Sequence, residues 1–157
     1  YIRNSVKATV DAYNGSVTLY AWDENDPILK TWSKAFPGSV KAKSEMSAGL
    51  VSHVRYPEDM FRVQRDVLSL YHVTNASAFY GGQDFWRVPR DPSTLGANAG
   101  AQPPYFYTLQ LPGESKPAFS LTTPFVPRGG RENLSAFAVV NSDAGPDYGK
   151  FTVLQLQ

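Results

Sequence analysis

Two histidines, His53 and His72, are the first residues to test for chemistry, because each lies at a helix end with carboxylates near it in sequence: Glu58, Asp59 and Asp66. Imidazole with carboxylate is a donor set that suits several divalent ions. The spacing matches no metal motif such as His-Glu-x-x-His, and a histidine closing a helix is accounted for by the dipole at that end. Ser52 and His53 are adjacent, but no Gly-x-Ser-x-Gly elbow accompanies them. The string Arg55-Tyr56-Pro57-Glu58-Asp59 reads as a helix start with a paired arginine, or as a docking corner. Asp143, Gly145, Asp147 and Gly149 outline a weak calcium-type loop that lacks the distal bidentate glutamate. Gly81-Gly82 and Gly129-Gly130 lack the lysine and helix start of a phosphate loop and read as turns. Trp22, Trp32 and Trp86 supply rings for stacking on a glycan, although two of the three sit at inward positions. Asn14, Asn75 and Asn133 begin glycosylation-type triplets, read here as chance. No cofactor, metal ligand set or catalytic group is expected. The candidate binding residues are His53, Arg55, Tyr56, Asp59, Asp84 and Trp86, with the aromatic middle segment as a pocket wall.

These residues need a frame to hold them. The chain has 157 residues, the size of one domain, and is 42% hydrophobic, 18% charged and 13% aromatic. Nine Tyr, nine Phe and three Trp mean a core built from rings. The net charge is +1, without the clustered lysines and arginines of a nucleic-acid footprint. With no cysteine, disulfides and thiolate metal sites are excluded. The longest apolar run, Ala136 to Val140, is far short of the ~20 residues that cross a bilayer.

Val6 to Ala12 alternates, Asn14-Gly15 follows, and Ser16 to Trp22 is rich in strand formers. The spacing predicts a hairpin with a type I′ turn. Asp26-Pro27 starts a helix whose apolar face is Ile28, Leu29, Trp32 and Phe36. A short helix is expected over Ser47 to Val54. A longer one begins at Tyr56-Pro57, with a buried stripe of Met60, Phe61, Gln64, Val67, Leu68 and Tyr71 and with Arg62, Arg65 and Asp66 outward. A mobile loop is expected near Ser93 to Ala101. Four strands follow: Tyr105 to Leu111, Ala118 to Val126, Leu134 to Val140 and Lys150 to Leu156. The whole predicts a single soluble α+β domain. Its mostly antiparallel sheet has about six strands, the hairpin joining the C-terminal meander, with about three helices on one face.

Three sets of strings carry a resemblance: Tyr1 to Lys7 with Val10 to Gly15; His53 to Phe61 with Gln64 and Tyr71-His72; and Phe79-Tyr80, Gln83 to Trp86 and Pro124 to Arg128. Over nearly the whole chain the sequence resembles a bacterial family of large uncharacterised integral membrane proteins of the UPF type. Its members carry several N-terminal spans and a long extracytoplasmic region. The resemblance implies a domain excised from that region, tethered to the membrane through spans elsewhere in the parent. It carries over no catalytic residue. The expected role is a structural or interaction module of the cell envelope. Its partners would be other segments of the parent or another envelope protein, and the isolated chain is expected to be a monomer. The alternative is an envelope module that binds a glycan, lipid or peptide, or hydrolyses one.

Overall fold

The computed structural model describes residues 2–94 and 99–156. The chain, read from sequence as one domain, divides into two compact units, residues 1–54 and 55–157. Among the described residues it holds eight strands and four α-helices, largely antiparallel and in two sheets. The α+β expectation is met. The single sheet is corrected, because the N-terminal hairpin forms a sheet of its own.

In the first unit, β1 (Val6–Val10) and β2 (Val17–Ala21) pair antiparallel from Val6↔Ala21 to Val10↔Val17. The turn is longer than the expected two-residue type I′. The backbone N–H of Asp11 donates to the Ser16 carbonyl, Gly15 N–H donates to the Asp11 carbonyl, and the Asp11 side chain accepts from Tyr13 N–H. Gly15 has φ +73°, whereas Asn14 does not enter the positive-φ region that a type I′ turn demands of both central residues. The Asp11 carboxylate supplies the local bond that makes the wider turn favourable.

Helix α1 (Pro27–Ala35) has the expected Asp26 cap and Pro at its first turn. It crosses from β2 to a two-residue strand, β3 (Val40–Lys41), which pairs parallel to β2. A 3₁₀ turn, Lys43–Glu45, and helix α2 (Ala48–His53), capped by Ser47, complete the unit.

In the second unit, α3 (Glu58–Tyr71) begins after Pro57 with Glu58 and Asp59 at the positive end of its dipole. Its buried face runs Phe61, Arg65, Leu68 and His72 rather than through Val67 and Tyr71, which are exposed. Arg65, expected outward because it is charged, is 5% exposed. Its guanidinium is covered because Nη1 donates to the Gln102 carbonyl at 2.9 Å and lies 3.4 Å from the Thr123 hydroxyl. Nε has no hydrogen-bond partner among the described residues, and burial lowers the Arg65 pKa from its ordinary value. A short helix, α4 (Ala76–Tyr80), is capped by the Asn75 side chain.

The second sheet runs β4 (Trp86–Arg87), β6 (Ala118–Pro127), β7 (Ala136–Asn141) and β8 (Phe151–Gln155), with β5 (Tyr105–Leu109) also paired to β6. Central β6 contains Pro124, which has no N–H to give a ladder. The geometry resolves this. The Phe125 carbonyl faces β7 and accepts from Ser135 N–H, so alternation turns the Pro124 nitrogen to the opposite edge. On that edge the β5 pairing ends at Thr122 and the β4 pairing starts at Val126, leaving a gap. Phe61, Leu121, Phe125, Ala136, Ala138 and Val140, with Tyr56 and Trp86, form the core. Of the stretch expected to be a mobile loop, residues 95–98 lie outside the described residues. Its flanks are tied by Asp91 N–H to the Gly100 carbonyl and Gln102 N–H to the Pro89 carbonyl.

Candidate functional site

Two concave surfaces stand out, one in each unit. The first is a cleft of about 800 Å³ in residues 55–157, where the end of α3 and the segment before β4 meet the β6–β7 connection. Its floor is Trp86, buried against Phe125 and covered by the His72 imidazole with ring centroids 3.4 Å apart and planes at 14°. His72 closes α3. Its Nδ1 lies 2.8 Å from the Leu68 carbonyl oxygen and its Nε2 lies 2.9 Å from that of Asp84. A carbonyl oxygen only accepts, so each contact is a hydrogen bond where the ring nitrogen facing it carries the proton. The Asp84 backbone is held at φ +60°, the one non-glycine position above zero among the described residues. Such outliers persist where surrounding contacts fix them, and here the histidine does so.

The opposite wall is the segment after β6. Arg128 N–H donates to the Phe85 carbonyl at 2.8 Å, and the Arg128 guanidinium lies over the Phe85 ring at 5.5 Å. Arg131, Asn133 and Ser135 continue the wall. Just outside it, Arg87 Nη2 donates to Glu132 Oε1 at 2.6 Å and to the Arg131 carbonyl at 3.1 Å.

The second surface is an apolar groove of about 450 Å³ in residues 1–54, lined by Val6, Leu19, Val40 and the α1 face. Of that face only Leu29 is buried; Ile28, Trp32 and Phe36 are 48%, 59% and 55% exposed. The Trp32 and Phe36 rings stack at 5.3 Å. At the groove's polar end lies Asp26. One oxygen accepts from Ile28 and Leu29 N–H at 2.7 and 3.0 Å; the other accepts from the Ser5 hydroxyl at 2.6 Å and from Arg3 Nη1. The Ser5 bond first, with the backbone and Arg3 donors, holds this carboxyl well below the usual carboxylate range. Lys7, half-buried on β1, is pushed down to about 8 by desolvation.

The six candidate residues separate. Asp84 and Trp86 line the cleft. Tyr56 is a core residue: its ring packs by Tyr148, its hydroxyl donates to Gln64 Oε1 at 2.9 Å and its N–H donates to the Ser142 hydroxyl. Arg55 lies 3.8 Å from Asp143 and over the Phe119 ring. Asp59 is exposed on the first turn of α3. His53 is exposed in the other unit, with Nδ1 2.7 Å from the Gly49 carbonyl oxygen and 3.2 Å from the Ser52 hydroxyl. That hydroxyl itself donates to the Gly49 carbonyl, so the pair is not arranged as nucleophile and base. Asp143 of the suspected calcium loop accepts from Phe119 N–H. No group of three metal-ligating side chains occurs among the described residues. Of the tryptophans, Trp86 is buried, Trp22 is half-buried under the Lys43 ammonium at 4.1 Å, and Trp32 stands out. Arg128 and Arg131 were not singled out from sequence. The available signal was a pair of arginines flanking Gly129-Gly130.

The sequence matches the family described as "Uncharacterised protein family (UPF0182)" over residues 1–157. The chain belongs to this family. A UPF0182 protein of Thermobifida fusca is 62% identical over 157 residues, covering 99% of this chain and 15% of that protein. A UPF0182 protein of Leifsonia xyli is 52% identical over 167 residues, covering 99% of this chain and 17% of that protein. One from Streptomyces coelicolor is 54% identical over 157 residues, covering 99% and 15%. The chain therefore spans about a sixth of the length of these UPF0182 relatives. No solved structure matches it. Among the described residues no helix is long and apolar enough to cross a membrane.

Proposed function

We propose that this chain is a non-enzymatic interaction module of a larger bacterial envelope protein. In this reading it stands on the outer side of the membrane, tethered by spans elsewhere in the polypeptide. The groove on residues 1–54 takes an apolar segment of the same parent. The observation that carries the reading is the stacked, solvent-facing Trp32–Phe36 pair on a helix capped and initiated by strong local signals. A well-made helix that turns two large rings outward is stabilised when a partner covers them, since exposed apolar patches of this kind mark interaction sites. The choice of occupant rests on length. The relatives matched are about six times longer than this chain, so most of the polypeptide available at high effective concentration is other segments of the parent.

Two experiments test this. A photo-crosslinking residue at position 32 of the full-length Thermobifida fusca relative, numbered as here, should link to another stretch of the same polypeptide. Links to no protein segment would sink the docking role. This chain has no cysteine, so in a full-length parent with any cysteines outside it replaced, Tyr13→Cys, at a fully exposed turn position, reports its side of the membrane. A membrane-impermeant maleimide should label it in intact protoplasts; labelling only after lysis would refute the outer placement.

A further inference from the structure

We propose that the cleft over the His72–Trp86 stack binds a phosphate ester, its oxyanion held by Arg128 and Arg131. The charge pattern carries this. Within residues 55–157, Arg55, Arg62, Arg65, Arg87 and Lys150 each meet a carboxylate. Arg90, Lys116, Arg128 and Arg131 meet none among the described residues, and of these four only Arg128 and Arg131 line the cleft. Glu132, the acid next to Arg131 in sequence, is drawn away by Arg87 at 2.6 Å. The one carboxylate that local sequence offers the pair is thus already taken, and the bond from Arg87 to the Arg131 carbonyl holds the segment in place.

The site is partly pre-organised. Arg128 is fixed at its N–H by the Phe85 carbonyl, and its guanidinium rests over the Phe85 ring, which limits the side-chain entropy lost on binding. Guanidinium groups match phosphate and carboxylate oxygens through paired N–H donors. Two such cations favour the more highly charged anion, and a phosphate monoester carries about −1.5 to −2 at neutral pH. A volume of about 800 Å³ exceeds a bare ion and falls in the range of small-molecule sites. Asp84, with Asn133 and Ser135, also lines it. A carboxylate opposes a second anionic end and accepts hydrogen bonds from hydroxyls. The ligand class is therefore a phosphate ester with a hydroxylated portion, either as a free small molecule or as a lipid headgroup.

Glycerol 3-phosphate is the probe, added to the isotope-labelled 157-residue chain and followed by amide resonances and Trp86 emission, with glycerol as control. Saturable shifts at Gly129 and Arg131 are expected with the phosphate and not with glycerol. R128Q and R131Q should each weaken binding roughly tenfold, and R128K should retain part of it. R131Q alters an exposed side chain and decides the matter alone should R128Q unfold. Vesicles of phosphatidylcholine with and without phosphatidic acid, whose headgroup is a phosphate monoester, separate the sources. R131Q-sensitive binding to the anionic vesicles assigns a headgroup, and binding of the soluble ester alone assigns a free ligand. No saturable shift with the ester and no vesicle binding, or binding that neither substitution weakens, overturns the proposal.

Discussion

Helices α1 and α3 carry the same kind of message in sequence and meet different fates. Both are amphipathic, and both have a proline and an acid at their start: Asp26 caps α1 ahead of Pro27, and Pro57 precedes Glu58 and Asp59 in α3. α3 lays Phe61 into a core of Trp86, Leu121, Phe125 and the small residues of β7, where the side chain has no exposure. α1 buries Leu29 and leaves Ile28, Trp32 and Phe36 facing out. An apolar stripe states which residues share a face; it does not state whether anything lies opposite. In residues 55–157 the answer comes from a five-stranded sheet. In residues 1–54 the sheet has three strands, one of them two residues long, which is little surface to cover a ring-bearing helix.

The largest expected effect breaks the well-packed side of this comparison. Phe61→Ala should cost about 3–5 kcal/mol, the range for a large buried ring with poor collapse. Hydrogen exchange should show protection lost across β6, β7 and β8. Next, Gly149→Ala should cost about 1–3 kcal/mol. Gly149 has φ +78°, and an added Cβ would meet Tyr56 Cε2 at 3.2 Å. A denaturant midpoint unchanged from the parent chain would show that this turn relaxes freely. Trp32→Ser should change stability by no more than about 0.5 kcal/mol, as for an exposed site, while weakening the crosslink from a photo-reactive residue placed at the neighbouring groove position 28. A large loss of stability would mean the ring is already covered.

The smallest effect concerns pH. Lys7 has a folded pKa of about 8 against an ordinary 10.5 because burial disfavours its charge. Between these values the unfolded chain holds the proton and the folded chain has released it. Stability of residues 1–54 therefore rises as pH goes from about 8 towards 10.5. Thermal melts across that window should show the rise in the parent chain and a weaker one in Lys7→Met. The Asp26 carboxylate acts at the other end. Its depressed pKa gives stability that is present at neutral pH and lost as pH falls through and below the ordinary carboxylate range.

Much of the fold was legible. The four strands expected in the last third correspond to β5, β6, β7 and β8, and the Asp26-Pro27 helix start is where it was read. These signals are local: alternation, turn residues and caps act over a few positions. The short strands β3 and β4 were missed, since two residues carry no periodicity and form only because a longer strand offers an edge. Arg65 was placed outward because burial of a lone cation is costly; a carbonyl 37 residues away and a hydroxyl 58 residues away change that balance. Two of the six candidate residues reach the cleft. Asp84 and Trp86 sit in an aromatic string that invited attention. His53 draws notice as one of two histidines, and Arg55, Tyr56 and Asp59 as part of a dense polar string; the fold sends all four elsewhere.

By itself, then, the sequence determined the α+β class, the caps and turns, the ring-rich core and the family, because each depends on residue type at short range or on similarity along the chain. The tertiary structure alone decided that the hairpin builds a separate sheet, that Arg65 is buried and Trp32 is not, and that Glu132 pairs with Arg87 rather than with Arg128 or Arg131. Those outcomes depend on which distant groups arrive opposite one another, and the desolvation and pairing of a charge are set by its neighbours in space.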